Sequence, residues 1–76
     1  MKTVKILLNT INDVKSFVNI VSKYEFDVDL ISGRYAIDAK SIMGIFSLDL
    51  SKPITLEAHT EDGAAFFAEL EKFIVK

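Results

Sequence analysis

Apolar residues along the chain recur with two different periods, and the switches between them mark out the elements. Val4 to Leu8 ("VKILL") is a short apolar run, the mark of a buried strand. Val14, Phe17, Val18, Val21 and Tyr24 then recur at i, i+3, i+4 and i+7 spacing, which predicts an amphipathic helix. In "FDVDLI" the period falls to two. Phe26, Val28 and Leu30 share one side and Asp27 and Asp29 the other, as on a half-buried strand. Ser32-Gly33 signals a turn and "RYAID" a short return strand, so the pair predicts a hairpin. A short helix is expected after Lys40. "ITLEA" alternates as a strand, with Pro53 at its start, where a missing N–H does least harm. Last, "TEDGAAFFAELEKFIVK" sets Phe66, Leu70, Phe73 and Ile74 on one stripe, with acids in the first turn and lysine at the end, as the helix dipole favours.

The predicted order is β-α-β-β-α-β-α. Four short strands are too few for two stacked sheets. The expectation is therefore an α+β open-faced sandwich: one four-stranded antiparallel sheet with three helices on one face. Alternation on two of the strands implies that the other face is wet. No linker, repeat or low-complexity tract interrupts the 76 residues, so residues 1–76 are read as a single domain. A domain of this size buries only about 60% of its unfolded surface. With half its residues hydrophobic and six phenylalanines, this one has enough apolar material for a core.

Charge and composition narrow the functional classes. Nine basic residues against eleven acidic ones give a net charge of −2, and the basic residues are scattered, so there is no footprint for nucleic acid. The absence of cysteine excludes disulfides and thiolate metal sites and fits a cytoplasmic setting. The apolar run in "MKTVKILLNT" is too short for the core of a signal peptide and far too short for a membrane span. No Ser/His/Asp grouping, paired-carboxylate signature or glycine-rich phosphate loop occurs, and the three glycines read as turn or cap residues. The one histidine, His59, reads as a solvated or capping residue rather than a metal ligand. Asp27, Asp29 and Asp38 read as the wet face of the hairpin. The chain is thus expected to be non-catalytic, with no cofactor and no metal.

The stretch "DAKSIMGIFSLDL" has more apolar residues than one helix side needs. On a helix from Ser41 to Leu48, Ile45 and Leu48 lie about 60° apart and form a core-facing pair, with Ile42, Met43 and Phe46 on a neighbouring arc about 100° wide. Either part of that arc faces water as a docking surface, which Met and aromatic residues suit, or it packs beneath a neighbouring loop. Ser41 reads as the N-cap of this helix. A phosphate there would meet free N–H groups and add nearly two negative charges beside the apolar arc.

At these residues the chain resembles a known family. Lys40-Ser41-Ile42-Met43-Gly44 with Ser47-Leu48 is similar to the HPr family, the histidine-containing phosphocarriers of the bacterial sugar phosphotransferase system. Ser22-Lys23-Tyr24 resembles the end of that family's first helix, and the element order follows the family's, with a deletion of about two residues near Pro53. The resemblance implies the open-faced sandwich fold. It also implies Ser41 as the target of an ATP-dependent serine kinase. Ile42, Met43 and Phe46 would form the docking patch for phosphotransferase-system enzymes or for a transcriptional regulator of carbon catabolite repression. The family's phosphocarrier motif is histidine followed by Ala-Arg-Pro. Here Thr10 stands at the histidine position, Asn12 at the arginine and Asp13 at the proline. A threonine phosphate ester is too stable to hand its phosphoryl group on, Asn12 cannot balance its charge, and Asp13 would repel it. Thr10 with Asp13 three residues on reads instead as a variant capping box.

The function expected is that of an HPr-like regulatory or binding protein without phosphohistidine relay, switched at Ser41 in carbon catabolite regulation. Two alternatives stay open: a working phosphocarrier with another acceptor such as His59, and a constitutive interaction domain with silent phosphosites. An exposed apolar patch would serve a homodimer equally well.

Overall fold

The computed structural model describes residues 2–75. The elements are β1 (Lys2–Ile6), α1 (Ile11–Ser22), β2 (Val28–Ser32), β3 (Tyr35–Asp38), α2 (Ile42–Phe46), β4 (Ile54–Ala58) and α3 (Ala64–Glu69), followed by a 3-10 turn at Glu71–Phe73. The strands form one antiparallel sheet in the order β1-β4-β2-β3. This is the expected α+β open-faced sandwich.

The period-two pattern decides which face is covered. Val28 and Leu30 of β2, and Ile54, Leu56 and Ala58 of β4, are buried on one face with Ile6. Onto them pack Val14, Phe17 and Val21 of α1, Ile45 of α2, and Phe66, Leu70 and Phe73 near the chain's end. The opposite face carries Thr3, Lys5, Thr55, Glu57, Asp29 and Asp38, at the intervening positions of the same registers. Among the described residues no polar or charged side chain is buried. Any chemistry must therefore lie on the surface.

The hairpin between β2 and β3 closes through Gly33-Arg34, with Ser32 opposite Tyr35. Gly33 has φ +61, the left-handed value that the first central position of a type II′ turn requires.

Element boundaries near the two ends of the chain differ from expectation. β1 begins at Lys2 and ends at Ile6, whereas Leu7 and Leu8 lie beyond the strand. The Leu7 N–H donates to the Phe73 carbonyl and the Val75 N–H to the Lys5 carbonyl, both at 2.8 Å. Ile6 and Ile74 form an isolated antiparallel bridge. The end of the described chain thus covers the outer edge of β1, which would otherwise present unpaired N–H and C=O groups. The long final helix is also shorter than predicted. At Leu70 the N–H is shared between the Phe66 and Phe67 carbonyls, each at 3.2 Å, and the coil tightens to a 3-10 turn. Leu70 and Phe73, three apart, stay on the core side of the tighter coil, so the apolar stripe survives the change of geometry. Glu61 and Asp62 precede α3 rather than entering its first turn. Lys76, at the end of the predicted helix, lies outside the described residues.

Candidate functional site

α1 starts at Thr10, whose Oγ1 accepts a hydrogen bond from the Asp13 N–H at 3.0 Å. Asp13 Oδ2 in turn accepts from the Asn9 N–H at 3.1 Å. This is the predicted capping box with its return bond moved one residue back, to Asn9 instead of Thr10 itself. The Thr10 hydroxyl is engaged as a cap and stands beside a carboxylate. Asn12 is exposed on the first turn.

α2 starts in the same manner. Ser41 has an extended backbone, and its Oγ accepts from the Gly44 N–H at 3.2 Å. Gly44 is needed for this closeness. A Cβ at that position would stand 3.0 Å from Ser41 Oγ and 3.3 Å from Ile37 Cδ1. At its other end the helix stops at Ser47, whose hydroxyl donates to the Gly44 carbonyl at 2.5 Å. The result is five residues, Ile42–Phe46, rather than the eight assumed for Ser41 to Leu48. A helix this short has little macrodipole, so the attraction expected for a phosphate at Ser41 comes down to the first-turn N–H groups.

The apolar arc divides. Ile45 is fully buried and Leu48 partly buried, the expected core-facing pair. Met43 is 77% exposed and Phe46 40% exposed. The two are three apart and therefore adjacent on the helix surface. Ile42 is half-buried against the core, so it forms the root of the patch rather than its contact surface. Ser41 is exposed beside them.

His59 stands elsewhere. β1 and β4 run antiparallel, with Lys2 opposite Ala58 and Ile6 opposite Ile54. His59 therefore leaves the sheet at the end where β1 begins, while Thr10 follows the end where β1 stops. Roughly 13 Å of strand lies between those two ends. His59 Nε2 is 2.9 Å from Asp29 Oδ2, on the open sheet face.

A groove of about 470 Å³ opens beyond the C-terminal end of α2, between the hairpin turn at Gly33-Arg34 and Ser47, Asp49 and Lys52. None of the site residues expected from the sequence, Thr10, Asn12, Ser41, Ile42, Met43 and Phe46, lines it. Asp49, whose Oδ1 accepts from both the N–H and the hydroxyl of Ser51, is held below the usual carboxylate range by those two bonds.

Sequence reading missed one cluster near α2. Glu69, at the end of α3, accepts from the Lys23 ammonium and from the Tyr24 hydroxyl. The bonds from Lys23 and Tyr24 hold its carboxyl below the ordinary glutamate value, and the same Glu69 contact, with some desolvation, pushes the Tyr24 phenol up. Lys40 Nζ donates to the Tyr24 carbonyl at 3.0 Å, so the exit of α1, the end of α3 and the entrance to α2 meet at one residue. The sequence hint was only that Lys23 and Tyr24 stand at the end of the predicted first helix; Glu69 fell inside the predicted last one.

The fold and its surface define a class: an open-faced α+β sandwich whose candidate sites are a hydroxyl-capped short helix and its apolar neighbours. The family model for the phosphorylation site of the phosphotransferase-system HPr component matches residues 13–76, and the chain belongs to the HPr family. The match begins just after Thr10 and Asn12. Among solved structures, HPr from Thermoanaerobacter tengcongensis is similar with a TM-score of 0.78 and 28% identity, over 95% of this chain and 89% of that one. The phosphocarrier protein HPr of Bacillus anthracis, at 23% identity and TM-score 0.71, shares the fold over 97% of this chain and 94% of its own. Crh of Bacillus subtilis, a catabolite repression protein whose crystal structure is a domain-swapped dimer, matches with a TM-score of 0.66 and 25% identity, over 93% of this chain and 88% of Crh. No curated protein matches the sequence. Proteins of the HPr family are in general non-catalytic phosphocarriers, and no helix of the described residues is long and apolar enough to cross a membrane.

Proposed function

We propose that this chain is a regulatory binding member of the HPr family that does not relay phosphate through residue 10 and is switched by phosphorylation of Ser41. Residues 1–76 act as one module, and Met43 and Phe46, rooted by Ile42, are the surface its partner meets. The observation that carries this reading is the exposure of Met43 at 77% on a helix whose capping hydroxyl, Ser41, is also exposed. An apolar side chain left in water beside a modifiable group makes binding sensitive to the charge of that group. Phosphorylation would replace a neutral cap with nearly two negative charges in the same place. Partners would then be sorted by charge with no change of fold.

Thr10 supports the loss of relay chemistry. Its hydroxyl serves the helix start, Asp13 stands beside it, and an alcohol ester lacks the reactivity of a phosphoimidazole. His59 is a poor substitute acceptor, because it lies at the opposite end of β1 and next to Asp29. The partners of this reading are a serine kinase and either phosphotransferase-system enzymes or a transcriptional regulator of carbon catabolite repression. The kinship with Crh supports a role in catabolite regulation and keeps a homodimer in view.

The test is a mass measurement after two incubations. With ATP and the family's serine kinase, the chain gains one phosphate, and Ser41→Ala gains none. With phosphoenolpyruvate and the first phosphotransfer enzyme, the mass stays unchanged. An acid-labile gain in the second reaction, lost in His59→Ala, establishes a phosphocarrier instead. No gain in either leaves a constitutive interaction domain.

A further inference from the structure

We infer that the open face of the sheet holds a divalent-metal site formed by Asp29, Glu57 and His59, suited to a transition cation such as Zn²⁺. Each of the three offers one ligand atom, and these atoms all lie within 4.8 Å of one another. The register explains how they come together. Glu57 of β4 is directly opposite Asp29 of β2, and His59 lies two positions beyond Glu57, on the same face. The His59 N–H donates to the Asp27 carbonyl at 2.8 Å, which extends the ladder and fixes the backbone beneath the imidazole. Asp29 and Glu57 are thus carried by paired strands, and His59 by the residue just beyond β4, tied to Asp27, rather than by a loose loop.

The charges around them are unbalanced. Asp38 of β3 is opposite Asp29, so three carboxylates form a row across three neighbouring strands. Like charges directly opposite one another in a sheet repel. Among the described residues the ion pairs are Lys23 with Glu69 and His59 with Asp29, so no basic group stands against Glu57 or Asp38. Asp38 at least accepts from the Lys40 N–H at 2.8 Å. Glu57 is half-buried and has no hydrogen-bond or ion-pair partner among the described residues. Its carboxylate faces a second carboxylate and an imidazole, and a cation at the centre would satisfy all three.

The imidazole makes this more than an acidic patch. Carboxylates alone suit hard ions such as Mg²⁺ and Ca²⁺, whereas an imidazole nitrogen beside carboxylate oxygens suits Zn²⁺ and its neighbours. Ligand atoms bound to one zinc at about 2 Å stand about 3.3 Å apart in a tetrahedron. The His59 Nε2 to Asp29 Oδ2 separation of 2.9 Å needs only slight widening to admit the ion. Glu57 closes the third side by side-chain rotation. Water completes the shell, as in zinc sites with three protein ligands. Neither Ser41 nor Thr10 belongs to the site, which therefore stands or falls apart from the proposed regulation.

The test is calorimetric titration of the whole metal-free chain with Zn²⁺, followed by competition with a large excess of Mg²⁺. Saturable binding of one ion per chain that Mg²⁺ does not displace is expected. Asp29→Asn, Glu57→Gln and His59→Gln should each weaken it more than about tenfold, the scale that even changes behind the ligands reach. Heteronuclear NMR of the parent protein provides a second readout, in which Zn²⁺ perturbs the His59 ring and the backbones of Asp29 and Glu57 together. A lack of saturable binding overturns the site. So does displacement by Mg²⁺, which marks a diffuse acidic surface. Unchanged affinity in Glu57→Gln, or an NMR response confined to His59, reduces it to a single surface histidine and also overturns it.

Discussion

Two helices of this chain begin with the same chemistry and differ in almost everything around it. At both α1 and α2 a hydroxyl on an extended N-cap residue accepts from the N–H three residues on, Thr10 from Asp13 and Ser41 from Gly44. At α1 an acid sits at the third position and closes a box onto Asn9, and twelve residues of helix follow, fastened by Val14, Phe17 and Val21. At α2 the first turn holds no acid, the helix has five residues, and Ile45 is its one fully buried side chain. A capping hydroxyl is thus no evidence of function by itself. What distinguishes Ser41 is its neighbourhood, with no competing carboxylate in the turn and exposed Met43 and Phe46 directly after it.

The largest expected effect tests how α2 is attached. Ile45→Ala removes its deepest anchor and should cost about 2–5 kcal/mol, a fall in Tm on the order of 10–30 °C for a domain this small. The equivalent truncation Val14→Ala leaves α1 two other buried anchors. Hydrogen exchange should therefore show α2 amides losing protection in Ile45→Ala, while α1 keeps its own in Val14→Ala. Loss of both helices together in either variant would mean that the two are one cooperative unit and that the contrast between them is only apparent.

The caps come next in size. Thr10→Ala should cost about 1–2 kcal/mol and Ser41→Ala about 0.5–1 kcal/mol, because the first opens a longer helix and also strands the Asp13–Asn9 arrangement. Urea denaturation of both variants against the parent measures the difference. If Ser41→Ala costs more, the hydroxyl of Ser41 is chiefly structural, and a phosphate there would carry a folding penalty that argues against a switch.

How far these regions could be read from the sequence follows from which forces are local. Capping at Thr10 and Ser41 was legible because both partners of each bond lie within one turn. The buried faces of α1, β2 and β4 were legible because period alone assigns them. The end of α3 was not, since Ile74 leaves the helix to bridge Ile6, a contact between opposite ends of the chain. Ile42 was grouped with Met43 and Phe46 on one arc, but it stands three residues before buried Ile45, at the edge of that arc nearest the core, and is half-buried there. The convergence of Asp29, Glu57 and His59 was hidden for the same reason as Ile74. It depends on which strand lies on the side of β2 away from its hairpin partner β3, and β4 fills that place from far along the chain.

Smaller still is the effect of Met43→Ser. An exposed side chain away from caps and core should change stability by less than about 0.5 kcal/mol in the same urea experiment, against several for Ile45→Ala two positions on. That pair of results would separate the contact surface of α2 from its attachment. A marked loss in Met43→Ser would show that the methionine is packed in solution, against the core or against a second copy of the chain.

The smallest effect lies at the far end of α1, where Lys23 and Tyr24 meet Glu69. The Glu69 carboxyl is held below its ordinary value in the folded chain, first by the Lys23 bond and then by Tyr24. The unfolded chain therefore takes up a proton at Glu69 before the folded one does. Across that window stability rises with pH, so the contribution of Glu69 is complete above the ordinary glutamate range near 4.3 and is lost as pH falls through the lower folded value. Tyr24 shows the same link from the alkaline side. Its phenol is pushed up, so its contribution is complete below the usual tyrosine range near 10 and is lost only above the raised value. Lys23 and Glu69 are exposed and Tyr24 is only half-buried, so the contribution is small and screened by salt. Thermal melts of the parent and Glu69→Gln should differ by a small constant amount from neutral pH down to the glutamate range, then converge on further acidification. The gap should narrow at every pH when salt is raised. A gap that persists in acid or ignores salt would mean that Glu69 acts through packing against Tyr24 and not through its charge. The shared junction of α1, α2 and α3 at Tyr24 would then owe its hold to the contact of the Tyr24 ring with Phe26 and Phe66.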